Sequence, residues 1–165
     1  MADRTENESK FYDLINKVEI AMLTTVEAGG GLHTRPMANQ EADEKGDIWF
    51  FTDKTTSVVK NVKGNPKLSL AYSNARNTYV AVSGSGRIVD DRAKFEELWS
   101  DELDMWFPKG KNDPNLTLLC VTPERGEFWD AGSSTVVSVI GYLRAKITGG
   151  NADDFIDNEK VTLKR

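Results

Sequence analysis

The chain has one cysteine and one histidine among 165 residues, and both scarcities exclude chemistry. A lone Cys120 cannot close an internal disulfide, which points to a reducing compartment. Set in the apolar run LTLLCVTP, it reads as a small buried hydrophobe rather than a nucleophile. With a single His33 beside it, no His-rich or Cys-rich zinc site can be built. Neither G-x-S-x-G nor G-x-x-x-x-G-K-[ST] occurs, so no nucleophile elbow and no P-loop is signalled. No apolar run approaches the roughly 20 residues that cross a bilayer. The opening MADRTENESK has no apolar segment of the kind a signal peptide carries. A net charge of −5 argues against nucleic acid, whose binders concentrate lysine and arginine. These absences predict a cytoplasmic protein with neither a membrane nor a nucleic-acid partner.

What is present is mostly β. A helix is expected over KFYDLINKV, with Phe11, Leu14, Ile15 and Val18 at helical spacing and Ser9 as a candidate cap. Strands are expected at IAMLTTV (residues 20–26), LHTRPMANQ, IWFFT (48–52), KLSLAYS (67–73) and NTYVAVSGSGRIV (77–89), then at LTLLCVT and GEFWD. The cluster Gly29–Gly31 makes a hairpin turn, and Gly84 with Gly86 suits a bulge or bend. A short helix fits TTSVVKNVKG, stopped by Gly64 and Pro66, and an amphipathic one fits DDRAKFEELWS from Asp90 or Asp91. The stretch SSTVVSVIGYLRAKITGG carries both strand and helix signals and is read as helix. Residues 1–150 form one domain and residues 151–165 a polar, loosely held tail. The pattern is α+β with β dominant, and the bent, glycine-bearing strands suggest a small barrel.

The segment LHTRPM is the odd strand, because it holds His33, Thr34 and Arg35 just before Pro36. It suits either a solvated edge strand or one that faces an anionic ligand. Arg35 can offer the bidentate fork that phosphate or carboxylate prefers. Thr52 ends a strand, and the hydroxyls of Thr55, Thr56 and Ser57 gather at the start of a short helix, whose free N–H groups and dipole favour phosphate. Tryptophans 49, 106 and 129 can wall a flat ring. The same residues also suit a plain capped helix, an exposed arginine and core aromatics, and their spacing does not separate the two.

The ordered set TTVEAGGGLHTRPM, DIWFFTDKTTS, KGNPKLSLAY, YVAVSGSGRIVDDR, WFPKGKNDP and LLCVTPERGEFWD resembles the pyridoxamine 5′-phosphate oxidase-like flavoproteins, in particular their general-stress-protein branch. The resemblance runs from about Phe11 to Asp130. It implies a six-stranded antiparallel split β-barrel with short flanking helices, and a homodimer with FMN at the subunit interface. It also implies roles for residues. Arg35 meets the FMN phosphate, Pro36, Met37 and Ala38 line the isoalloxazine, and Phe51 with Thr52 forms the aromatic–threonine pair. Thr56, Ser57 and Lys60 stand near the phosphate, and Trp129 reaches the flavin of the other subunit.

Two departures accompany these matches. The family's Ser-x-Lys phosphate grip is replaced by Thr56 and Val58, leaving Lys54 or Lys60 as substitutes. In the true oxidase, Arg-Leu-His-Asp-Arg beyond the tryptophan holds the substrate phosphate. Here AGSSTVVSV follows Asp130, so oxidation of pyridoxine or pyridoxamine phosphate is not expected. The resemblance leaves three readings open: a stress-related flavin-dependent oxidoreductase, a non-catalytic protein that binds or senses a flavin, haem or deazaflavin, or, given Val58 at the lysine position, a dimeric scaffold that has lost its cofactor. No catalytic side chain and no metal ligand stands out.

Overall fold

The computed structural model describes residues 5–40, 42–75, 78–130 and 157–162. Helix α1 spans Glu6–Asn16, and strands β1 (Ile20–Val26), β2 (Leu32–Ala38) and β3 (Ile48–Asp53) follow. Helix α2 (Ser57–Gly64) precedes β4 (Lys67–Ser73) and β5 (Thr78–Val89). Then come α3 (Arg92–Leu98), a 3₁₀ turn at Asp101–Met105, the long strand β6 (Leu116–Asp130) and β7 (Asp157–Thr162). Every strand pairing is antiparallel, in the order β2-β1-β4-β5-β6-β3, with β7 also on β6. This is the split barrel: six strands curl, and the two end strands β2 and β3 approach without a ladder. They meet where the Gln40 N–H donates to the Trp49 carbonyl at 3.2 Å.

Four expectations are corrected. The cap of α1 is Thr5, not Ser9: its hydroxyl accepts from the Glu8 N–H while the Glu8 carboxylate takes the Thr5 N–H, closing a capping box. LTLLCVT and GEFWD are one strand of 15 residues, because Pro123 sits where the chain needs no ladder donor. It pairs with Gly84 at a register shift in β5, between the stretch of β6 held by β3 (Leu116–Val121) and that held by β7 (Arg125–Asp130). The segment expected as a loosely held tail contributes β7, with Val161 buried in the core. Trp49, which with Trp106 and Trp129 suited a wall for a flat ring, is instead buried with Phe51 under the chain's own α3 and 3₁₀ turn. The helix expected over SSTVVSVIGYLRAKITGG lies outside the described residues.

Two apolar clusters follow from the alternation. The barrel interior holds Leu23, Phe50, Leu70, Tyr72, Val82, Val121 and Phe128, closed by α1 through Phe11 and Ile15 and by α2 through Val58 and Val62. The second cluster lies outside β3, where Trp49, Phe51, Leu118 and Cys120 meet Phe95 of α3 and Leu103. Strand β3 is buried on both faces for this reason, so its pattern IWFFT shows no polar alternation.

α1 reaches the sheet only because β6 has no side chain at Gly126, where the Phe11 ring lies against the backbone. A methyl there would overlap the ring. Gly126→Ala is therefore expected to cost about 1–3 kcal/mol, the usual range for overpacking a filled core, and to lower Tm by several degrees. Thermal unfolding followed by circular dichroism checks this; an unchanged Tm would mean α1 does not pack there in solution.

Candidate functional site

The split between β2 and β3 opens a cleft of about 190 Å³. Its near wall is Pro36, Met37 and Ala38 of β2 with Ile20 of β1; its far wall is Phe51, Thr52 and Asp53 of β3 with Thr56. Leu103, Trp106 and Phe107, from the 3₁₀ turn and the residues after it, form the roof. The walls follow from local sequence. Pro36 lacks an N–H, which only an edge strand tolerates, and β2 is an edge. Phe51 is fixed edge-on by Phe95 (ring centroids 4.9 Å apart) and Trp99 (5.4 Å), which stack on each other. Trp106 remains 56% exposed and Met105 82%, so the roof presents apolar surface outward.

The hydroxyl end of the cleft is a turn. The Asp53 carboxylate accepts from the Thr55 N–H (2.7 Å) and its hydroxyl (2.6 Å), and these bonds hold it below the usual carboxylate range. Among the described residues Asp53 is the only titratable one in the lining, and an ionised carboxylate has no proton to donate near neutral pH. The Thr56 hydroxyl donates back to the Asp53 carbonyl (2.8 Å) and lies 3.2 Å from the Thr52 hydroxyl. Thr56 is the N-cap of α2 yet makes no capping bond, so its side chain leaves the first-turn N–H groups unclosed.

Arg35, the residue before the cleft wall, turns to the barrel side of β2. Its Nη1 donates to the Thr25 hydroxyl at 2.6 Å, and the same hydroxyl accepts from the Asn61 amide of α2 at 3.0 Å. Arg35 Nη2 is buried with no hydrogen-bond partner. Burial pulls the guanidinium below its ordinary value, and the Glu27 carboxylate offsets part of that. It remains charged at any physiological pH. A buried cationic donor without an acceptor is costly, about 1–3 kcal/mol or more, and marks a place that an anion would satisfy.

The expected site residues divide accordingly. Pro36, Met37, Ala38, Phe51, Thr52 and Thr56 line one cleft, and Arg35 and Ser57 adjoin it in sequence without lining it. Val58, at the lysine position, is 4% exposed in the barrel core and offers no cation. Lys60 is exposed on α2, and Lys54 reaches the Asp90 carboxylate at 3.4 Å. Trp129 pairs with Tyr79 on one side and Asn158 on the other, and does not line this chain's cleft. His33 lies 3.6 Å from Glu27 at the β1–β2 hairpin, also outside the cleft. Sequence reading missed Thr25, Asn61, Leu103 and Phe107. Asn61 had a signal: it is a polar residue on the buried, valine-bearing face of α2.

These features define a class. A family model, Pyridoxamine 5'-phosphate oxidase like, matches residues 6–153, and the chain belongs to that family. It is 30% identical over 136 residues to general stress protein 26 of Bacillus subtilis, an alignment covering 80% of this chain and 94% of that protein. Among solved structures, one assigned as a general stress protein 26 from Jannaschia sp. CCS1 superposes with a TM-score of 0.71 at 29% identity, covering 93% of this chain and 96% of its own. A general stress FMN/FAD binding protein from Xanthomonas citri gives 0.65 at 31% identity, covering 76% and 89%.

Beneath the cleft, Cys120 is fully buried, and burial together with the Asp47 carboxylate pushes its thiol up to about 12. The folded state thus holds the proton that the unfolded thiol loses near its ordinary value of about 8.5. Its contribution to stability is complete below that pH and is lost progressively as pH rises from there towards 12. The native thiol is expected to resist iodoacetamide at pH 8 and to react once the protein is unfolded. Rapid labelling of the folded protein, read by mass spectrometry, would contradict the burial.

Proposed function

We propose that this protein is an FMN-binding flavoprotein that works as a homodimer, with the flavin held between subunits at the β2–β3 split. The observation that carries the reading is the buried, acceptor-less Arg35 Nη2 on the strand that walls a cleft carrying aromatic rings and, at one end, threonine hydroxyls. The residues fit the group. An anionic phosphate suits Arg35, the unclosed N-terminus of α2 and the hydroxyls of Thr52, Thr56 and Ser57, with Lys60 as the nearest exposed cation on that helix. A flat ring suits the Pro36–Ala38 backbone opposite Phe51. At about 190 Å³ the cleft is smaller than the ~300–1,000 Å³ usual for cofactor sites, which supports a site completed by a second copy, including its Trp129.

When bound, FMN supplies hydride and electron transfer. The chain's own residues bind and orient: Arg35 with α2 anchors the anionic end, and Phe51, Trp106 and Phe107 exclude water from the ring. With Asp53 held ionised, no side chain among the described lining residues is poised to donate a proton, so in a flavin-dependent oxidoreductase of the stress response the cofactor would carry the chemistry. The segment after Asp130 lacks arginine and histidine over AGSSTVVSV, so the protein is not a true pyridoxamine phosphate oxidase.

Wild type soaked in FMN is expected to carry a flavin absorbance band and quench FMN fluorescence. Arg35→Ala is expected to weaken binding by about ten- to a hundredfold, the worth of one charge-assisted contact. A protein that stays colourless contradicts the reading, as does affinity indifferent to Arg35. NADH or NADPH oxidation by the loaded protein, well above that of free FMN, marks the oxidoreductase; its absence marks a flavin-binding or sensing protein.

A further inference from the structure

We infer that Thr25 and Asn61 are positioning residues: together they aim the Arg35 guanidinium at the phosphate end of the ligand and so set the preference for a phosphorylated flavin over an unphosphorylated one. The inference rests on the flavin reading above and deepens it. Neither residue lines the cleft, and neither carries charge. Both are nonetheless buried polar side chains in an otherwise apolar barrel interior, Thr25 wholly so. Such groups are retained where a specific geometry is needed, because each must be hydrogen-bonded to offset its burial.

The arrangement is a donor excess. Asn61 Nδ2 and Arg35 Nη1 both donate to the one Thr25 oxygen, and the Thr25 hydroxyl proton has no acceptor among the described residues. Arg35 Nη2 has none either. Two donors are thus left over where one acceptor is already shared, and an anionic oxygen is the group that balances them. The chain spans three elements: β2 provides Arg35, β1 Thr25, and α2 Asn61. Because Asn61 comes from α2, the arginine is tied to the same helix whose N-terminus faces the anion. With Val58 in place of a second cation, orientation of this one guanidinium carries more of the selectivity than charge count does.

The test is the ratio of FMN to riboflavin affinity, measured by fluorescence titration in wild type, Thr25→Val, Thr25→Ser and Asn61→Leu. Riboflavin has the ring without the phosphate, so damage to the fold weakens both ligands alike, whereas misaimed Arg35 weakens FMN alone. Thr25→Val is near-isosteric and removes the shared acceptor; it is expected to lower the ratio by about tenfold, with riboflavin affinity unchanged. Asn61→Leu is expected to lower it by a smaller factor, and Thr25→Ser, which keeps the hydroxyl, to restore it. Should Thr25→Val not fold, Asn61→Ser reads the same ratio. A ratio unchanged in the Thr25 and Asn61 variants overturns the inference. A wild type that binds both flavins equally, or neither, overturns instead the phosphate reading on which it rests.

Discussion

Strand β6 is long enough to be shared, and the site depends on that. Its outer edge carries β3 along Leu116–Val121 and β7 along Arg125–Asp130, while its inner edge pairs with β5 over both stretches. The sheet therefore ends in β3 at one side and β2 at the other, and curling brings these ends together without a ladder between them. The cleft lies along that seam. Backbone that would otherwise be spent on pairing is left to approach a ligand, and the missing N–H of Pro36 costs nothing there.

The seam is stiffened from outside. α3 and the 3₁₀ turn bring Phe95, Trp99, Leu103 and Phe107 onto Phe51, so β3 is clamped between two apolar clusters and its cleft-facing residues are fixed before any ligand arrives. Against this apolar surround stands one charge with too few partners. Arg35 is drawn into the barrel mouth by Thr25, and its remaining donor is left without an acceptor. The imbalance is local and costly, and it is the observation on which the proposed anion site rests.

Most strands were legible because their alternation or β-branched content matches their burial. KLSLAYS reads buried-exposed along its whole length, and it is a strand from Lys67 to Ser73. The departures arose where local signals compete with tertiary context. Pro123 split β6 in the sequence reading, yet it falls between two partner strands and leaves the strand continuous. EKVT carries too little hydrophobicity to announce β7, which is recruited by the free half-edge of β6. At the site, the motif residues Pro36–Ala38, Phe51, Thr52 and Thr56 were visible as an ordered set and converge on one cleft. Thr25 and Asn61 were not, since a threonine in a strand and an asparagine in a short helix are ordinary until their hydrogen bonds are seen. Val58 was visible as a departure, and the structure shows that its side chain packs in the core instead of offering a cation.

The most direct test is a crystal structure of the protein with FMN. A phosphate oxygen is expected within about 2.7–2.9 Å of an Arg35 guanidinium nitrogen, the length of a charge-assisted bond. The ring is expected between β2 and Phe51, with a second copy of the chain closing the site. A flavin bound elsewhere, or a phosphate that leaves Arg35 bonded only to Thr25, would contradict this arrangement.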